Sequence, residues 1–325
     1  MKKFCFAVLL GFAAVPLWAD NAASQDALAL LKKVADSSKL VNYSGTFIYQ
    51  HGGKVETSRI VHFVNQAGGI FERLETLDGP PREVIRANDH VTWYLPGSKT
   101  VLIERRSTRH LPIMLPENLS DLSSHYTVAT ESTDRISGFE CTWVSATPKD
   151  KLRYGRRFCA EAETGLPLRA QIINERNQTV ESFGFSQLNI GGSFNRDLVS
   201  SRYAARAKSQ NWRTDQSALN VQDQSADTGW VMKEVPAGFR KTMELKRTII
   251  GRTGAVAHLV YSDGLAAISV FIEPMTKGAA PKPLTYQGAV HIYNRQTGDY
   301  KVTALGEAPA ATVMLIANSL ELKKP

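Results

Sequence analysis

The sequence predicts a mainly β protein of the α+β class: a large N-terminal antiparallel sheet domain followed by a small mixed α/β domain. Three observations carry that prediction. From residue 43 to residue 190, short β-rich runs alternate with turn sequences, Gly52-Gly53, Gly68-Gly69, Asp78-Gly79-Pro80-Pro81, Pro96-Gly97, Pro148-Lys149-Asp150 and Glu163-Thr164-Gly165. Turns at roughly ten to fifteen residues suit hairpins and leave no room for the crossover helices of a parallel sheet. Between residues 205 and 229 Gln, Asn, Asp and Ser replace apolar residues, which is linker chemistry. Beyond it lie further hairpin signals and one short apolar helix.

The elements follow in order. Lys2 and Lys3 precede an uncharged apolar run over residues 4–15 and then Pro16-Leu17-Trp18-Ala19. A basic start, a short apolar core and a small residue before a polar stretch make residues 1–19 a predicted secretory signal peptide. Ser24 is expected to cap a helix starting at Gln25, with Asp26 in its first turn. Leu28, Leu31, Val34 and Ala35 give that helix one apolar face to set on a sheet. The predicted divisions are 20–205 for the N-terminal domain, 206–229 for the linker and 230–325 for the C-terminal domain. In the last, strands are expected over residues 254–262 and 266–272 around an Asp263-Gly264 turn, then over 286–293 and 300–305. Pro309 is expected in the first turn of a helix over residues 310–317.

Removing the signal peptide takes Cys5 and leaves Cys141 and Cys159, an even pair in an exported chain, which favours a disulfide. If the two face each other across a hairpin, the turn centres on residue 150, where Pro148-Lys149-Asp150-Lys151 supplies turn chemistry. Closing such a loop contributes about 3 kcal/mol in the chain-entropy model.

Composition narrows the function. With 23 Gly, 14 Pro and 3 Cys in 325 residues, the chain is neither collagen-like, low-complexity nor disulfide-dense. The formal charge of +8 falls to +6 when two lysines leave with the signal peptide, and residues 225–325 hold 12 basic against 8 acidic side chains. That balance points to an anionic partner. Export argues against nucleic acid, and no aromatic interleaving of the kind that stacks bases accompanies the basic clusters Arg105-Arg106-Arg109, Arg153-Arg156-Arg157 and Arg240-Lys241 with Lys246-Arg247. Such clusters form solvated faces or meet lipid phosphate or an acidic peptide. No GxSxG, HExxH, CxxC, GxxxxGK[ST] or GxGxxG motif occurs, so no enzyme, catalytic residue, metal or cofactor is expected. Phe47, Tyr49, Phe71, Trp93 and Tyr94 belong to an aromatic-rich first half in which one helix covers little of the sheet. They are candidates for a concave apolar-ligand face.

Two stretches, ERLETLDGPPREVIRANDHVTWYLP (72–96) and YSDGLAAISVFIEP (261–274), resemble the MucB/RseB family of periplasmic stress regulators. VNYSGTFIY (41–49), ETGLPLR (163–169), WVMKEVPAGF (230–239) and GEAPAATVMLIANSL (306–320) extend the resemblance over essentially the whole mature chain. It implies an N-terminal unclosed β-barrel with helices in its mouth, like the LolA-type lipoprotein carriers. It also implies a protein soluble in the periplasm after signal-peptide cleavage. Family members bind the periplasmic part of a transmembrane anti-sigma factor, protect it from regulated proteolysis, and are released by lipid or lipopolysaccharide fragments. On this reading Tyr261, Ser262, Asp263, Gly264, Leu265 and, in the last helix, Met314 are candidates for the partner surface, with a plain turn at Asp263-Gly264 as the alternative. A lipoprotein or lipid carrier, a hydrolase of unfamiliar type and homo-oligomerisation stay open.

Overall fold

The computed structural model describes residues 18–105, 119, 121–193, 195–216, 227–248, 255–275 and 283–323. Residues 1–17 of the expected signal peptide, Arg106 and Arg109 of the first basic cluster, and residues 217–226 of the expected linker lie outside these. Among the described residues no helix is long and apolar enough to cross a membrane.

Helix α1 (Trp18–Leu40) leads into strands β1 (Tyr43–His51), β2 (Lys54–Val64), β3 (Ile70–Thr76), β4 (Glu83–Ala87), β5 (His90–Leu95) and β6 (Thr100–Arg105). Then come α2 (Leu122–His125), β7 (Tyr126–Ile136), β8 (Phe139–Pro148), β9 (Gly155–Glu161), β10 (Pro167–Ile173), β11 (Thr179–Ile190), α3 (Ala204–Ser209) and β12 (Arg213–Asp215). All twelve strands form one sheet in the order β12-β6-β5-β4-β3-β2-β1-β11-β10-β9-β8-β7. Its end strands do not pair with each other, so the barrel is unclosed as expected. Pairing is antiparallel except where β12 runs parallel to β6. The turns work as their residues require. Gly52 and Gly53 take φ of 53° and 77°, closing a two-residue hairpin between His51 and Lys54 that a side chain would strain.

Helix α1 begins at Trp18, not Gln25, so Ser24 sits inside it rather than capping it. Ala22 and Ala23 are strong helix formers and carry the helix through that point. Ala27, Leu31 and Val34 are buried against Val128, Val144, Ala146, Phe158 and Ala160 of β7, β8 and β9. The disulfide Cys141–Cys159 is present, with Cα atoms 5.3 Å apart. The cysteines are diagonal rather than opposed. Cys141 pairs with Glu161 and Trp143 with Cys159, so the hairpin centres one residue beyond the expected point. Leu152 N donates to the Asp150 carboxylate inside that turn, drawing it past Asp150.

Part of the expected linker packs on the first domain. Trp212 and Ala207 are buried with Val101 beside Tyr94, Ile103 and Tyr203, and β12 adds an edge to the sheet. Trp212 supplies enough apolar area to hold a segment that is otherwise polar.

The smaller domain holds β13 (Trp230–Met232), β14 (Arg240–Thr248), β15 (Ala255–Ser262), β16 (Ala267–Pro274), β17 (Leu284–Gln287), β18 (Val290–Thr297), β19 (Tyr300–Gly306), α4 (Ala310–Asn318) and β20 (Leu320–Leu322). Six strands run β14-β15-β16-β19-β18-β17, and β13 pairs with β20. The single strand expected over residues 286–293 is instead a hairpin, because Gly288 at φ 60° lets β17 fold back on β18. Pro309 stands just before α4, as its fixed φ allows, and Val313, Ile316 and Ala317 enter the core with Leu259, Ile268 and Val270.

Candidate functional site

Strand register assigns the aromatic candidates to faces, since directly paired residues share a face and neighbours along a strand alternate. Tyr49 pairs with Phe183, Phe183 with Ala170, Ala170 with Phe158 and Phe158 with Val144. That row reaches the patch under α1, so Tyr49 and Phe47 belong to the helix-covered face. Gly45 pairs with Ile60, Ile60 with Leu74, Leu74 with Val84 and Val84 with Trp93, so Trp93 joins them. Phe71 and Tyr94 face the other way. The segment 195–215 covers them, Val199 packing on Val61 and Phe63 beside Phe71, and Tyr94 lying beside Trp212 and Val101. The five candidates therefore do not form one surface. Alternation along β3 and β5 separates them, and a density of aromatic residues in sequence does not reveal it.

On the shared face Phe47 is buried, its ring 4.9 Å from Phe183 and 6.3 Å from Phe185. Tyr49 and Trp93 are half-buried. The Tyr49 hydroxyl donates to Glu181, and Trp93 Nε1 donates to Glu104 at 2.7 Å. A polar row that the sequence did not announce crosses the same face. His62 Nδ1 lies 2.8 Å from Glu72 Oε1, Arg86 reaches Glu72 Oε2 at 3.5 Å, and Tyr43 stacks on the His62 imidazole at 4.8 Å. All four are buried. Burial, helped by the Glu72 charge, pushes the Tyr43 phenol well above its ordinary range. Single His, Glu and Arg residues on three different strands carry no sequence signal until register aligns them.

The second focus is the joint between the domains. Asp263, expected at a partner surface, is buried there. Its Oδ1 accepts from Leu265 N at 2.9 Å and Ala266 N at 2.7 Å, which shapes the turn between β15 and β16. Its Oδ2 crosses to the first domain, accepting from Tyr126 Oη at 2.9 Å and pairing with Arg153 Nη1 at 2.8 Å. Arg153 also pairs with Asp150 at 3.0 Å, donates to Ala237 O, and lies over the rings of Tyr126 and Phe239 at 5.6 and 5.3 Å. Burial and the Asp263 charge raise the Tyr126 phenol far above its usual value. Leu265 packs in the cluster that holds Ala27, Leu31 and Val34 of α1. Arg156 Nη2 donates to Leu265 O at 3.3 Å and pairs with Glu307 at 2.9 Å, while Thr312 Oγ1 donates to Leu152 O at 2.8 Å. At the far edge Gly52 and Gly288 meet closely; a Cβ on Gly52 would stand 2.7 Å from Gly288 N. Glu181 there accepts from Ala289 N at 3.4 Å, and burial raises its carboxyl above the ordinary value, with Glu307 adding to the effect.

These contacts correct two expectations. Arg153 and Arg156 form neither a solvated face nor a phosphate site, because their charges are consumed in the joint; Arg157 lies over Trp143 at 4.7 Å and pairs with Glu131. Asp263 and Leu265 face the chain's own first domain, and Tyr261 is buried in the smaller domain's core. Ser262, Gly264 and Met314 are half-buried.

The arrangement is that of a two-domain binding protein: an unclosed sheet with one face partly lined by aromatic rings, joined to a smaller domain by a buried ionic contact. Residues 26–209 match the model of the MucB/RseB N-terminal domain and residues 224–321 that of the MucB/RseB C-terminal domain, and the chain belongs to the MucB/RseB family. It is 30% identical to the sigma factor AlgU regulatory protein MucB of Pseudomonas aeruginosa, across 98% of each chain. It is 24% identical to the sigma-E factor regulatory protein RseB of Escherichia coli, across 99% of this chain and 98% of that one. A crystal structure of MucB in complex with MucA(peri) superposes with a TM-score of 0.71 at 28% identity, covering 92% of this chain and 100% of the other. A crystal structure of MucB gives 0.65 at 28% identity. These relatives are regulatory proteins rather than enzymes.

Proposed function

We propose that this chain is an exported regulator that binds the periplasmic part of a transmembrane anti-sigma factor, protects it from proteolysis, and is released by lipid or lipopolysaccharide fragments. The observation that supports the reading most is similarity across both domains to MucB as it stands in complex with MucA(peri). Tyr49 and Trp93, half-buried on the helix-covered face, are the candidates left for acyl contact; Phe47 lies deeper, and Phe71 and Tyr94 are on the opposite face, partly covered by residues 195–215. Release is then a matter of linkage. A lipid displaces the partner only by binding the free regulator more tightly than the complex, and the partner weakens the lipid by the same factor.

The test is capture of the periplasmic domain of a MucA-type anti-sigma factor by the chain lacking residues 1–19, with and without lipopolysaccharide fragments. Capture that fragments reduce supports the whole reading. Capture that they leave unchanged removes the lipid step, and no capture overturns the proposal. Recovery in a periplasmic extract rather than the cytosol checks export.

A further inference from the structure

We infer that the turn Asp263–Leu265 is a latch that joins domain docking to the packing of helix α1. The latch has two halves with different chemistry. Asp263 meets Arg153 and Tyr126 in a fully buried contact, with both charged side chains at 0% exposure. Leu265, two residues on, is 8% exposed and reaches past the joint into the cluster formed by Ala27, Leu31, Val34, Tyr126 and Phe158. Tyr126 belongs to both halves, since its hydroxyl holds Asp263 while its ring packs in that cluster. The side chain that anchors the smaller domain is therefore also a wall of the site where α1 rests.

Packed interiors lack slack, so a change in how α1 sits changes the hole that Leu265 fills. If the leucine leaves, the turn moves and the Asp263 carboxylate loses its place over Arg153. A buried charge without its partner is strongly unfavourable, so the ionic half does not hold halfway. The joint thus has two arrangements, docked and undocked, and any event that repacks α1 biases the choice. The latch acts within the chain and needs no partner to operate.

Pulsed electron spin resonance on the full mature chain tests it, with spin labels on Val55→Cys in β2 and Leu284→Cys in β17. Both positions are exposed, at 54% and 42%, one in each domain, and the native cysteines are already joined. The docked chain should give one narrow distance distribution. Leu265→Ala and Asp263→Asn should each broaden it to longer distances. Leu31→Ala, which lies wholly within the first domain, should do the same, while Leu265→Met should keep it narrow. Far-UV circular dichroism confirms that each variant folds, and Val34→Ala replaces Leu31→Ala if the latter does not. A folded chain whose distribution stays narrow with Leu265→Ala overturns the latch. Broadening with Leu265→Ala but not with the α1 variant overturns its coupling to the helix.

Discussion

The two faces of the twelve-stranded sheet are closed in different ways. One is covered in part by the chain that directly continues the sheet: residues 195–215, a strap across it, lay Val199 and Trp212 onto it, and Arg202 reaches Glu75 and Glu83. The other is covered by α1 and, at its edge, by a separate domain that enters through Leu265 and Asp263. The first covering pairs Arg202, itself 46% exposed, with Glu75 and with the fully buried Glu83, both of which Arg73 also reaches. The second has its ion pair at the centre, dry and all-or-none. A pair with one partner open to water and its charge shared is weaker and more graded, whereas a pair buried on both sides is costly to break but ceases to help once parted. The two coverings should therefore respond differently to substitution.

Substitutions can break that contrast. The largest effect is expected from Arg153→Ala, which strands the Asp263 carboxylate in the joint. Denaturant unfolding should show a loss of about 3–5 kcal/mol, with domain separation in the spin-label distances. Trp212→Ala should cost about as much, roughly 3–5 kcal/mol, but through the strap. It should leave interdomain distances unchanged; if it undocks the domains, the two closures are not independent.

Reduction of Cys141–Cys159 should lower stability by about 3 kcal/mol, read as a drop in Tm with dithiothreitol. The bridge lies within the β8–β9 hairpin, so docking should survive wherever the chain stays folded.

Glu181 should give the joint a pH dependence. Its folded pKa is raised, so the folded state holds its proton more tightly than the unfolded chain. The stability it contributes is present below the ordinary carboxylate value and is lost as pH rises through the raised one. Glu181→Gln should flatten Tm against pH in that window, and an unchanged slope would place the effect elsewhere. The smallest change is expected from Arg202→Ala, below about 1 kcal/mol and shrinking further in high salt, because Arg202 is half-exposed and Arg73 still pairs with Glu75 and Glu83.

Much of the fold was legible because local chemistry carried it. Gly52-Gly53 and Asp263-Gly264 both mark turns, and Pro309 stands just before α4. The sites were less legible. Phe71 and Trp93 look alike in sequence, yet β-strand alternation sends them to opposite faces. His62, Glu72 and Arg86 form a row only because three strands align at those residues. Asp263 looked like a surface turn residue because nothing near it in sequence shows that Arg153, far back along the chain, will meet it.

What the sequence determined by itself was what short stretches encode: an antiparallel sheet domain, a smaller mixed one, a cysteine pair and membership of a family. Turn conformations, alternation and capping act over a few residues, so they can be read locally. The tertiary structure decided which aromatic residues share a face, that Trp212 packs on the first domain, and that Arg153 and Arg156 are spent inside the molecule. Those outcomes depend on register and on contacts between distant segments, where a charge or a leucine gains its role only from what it is buried against.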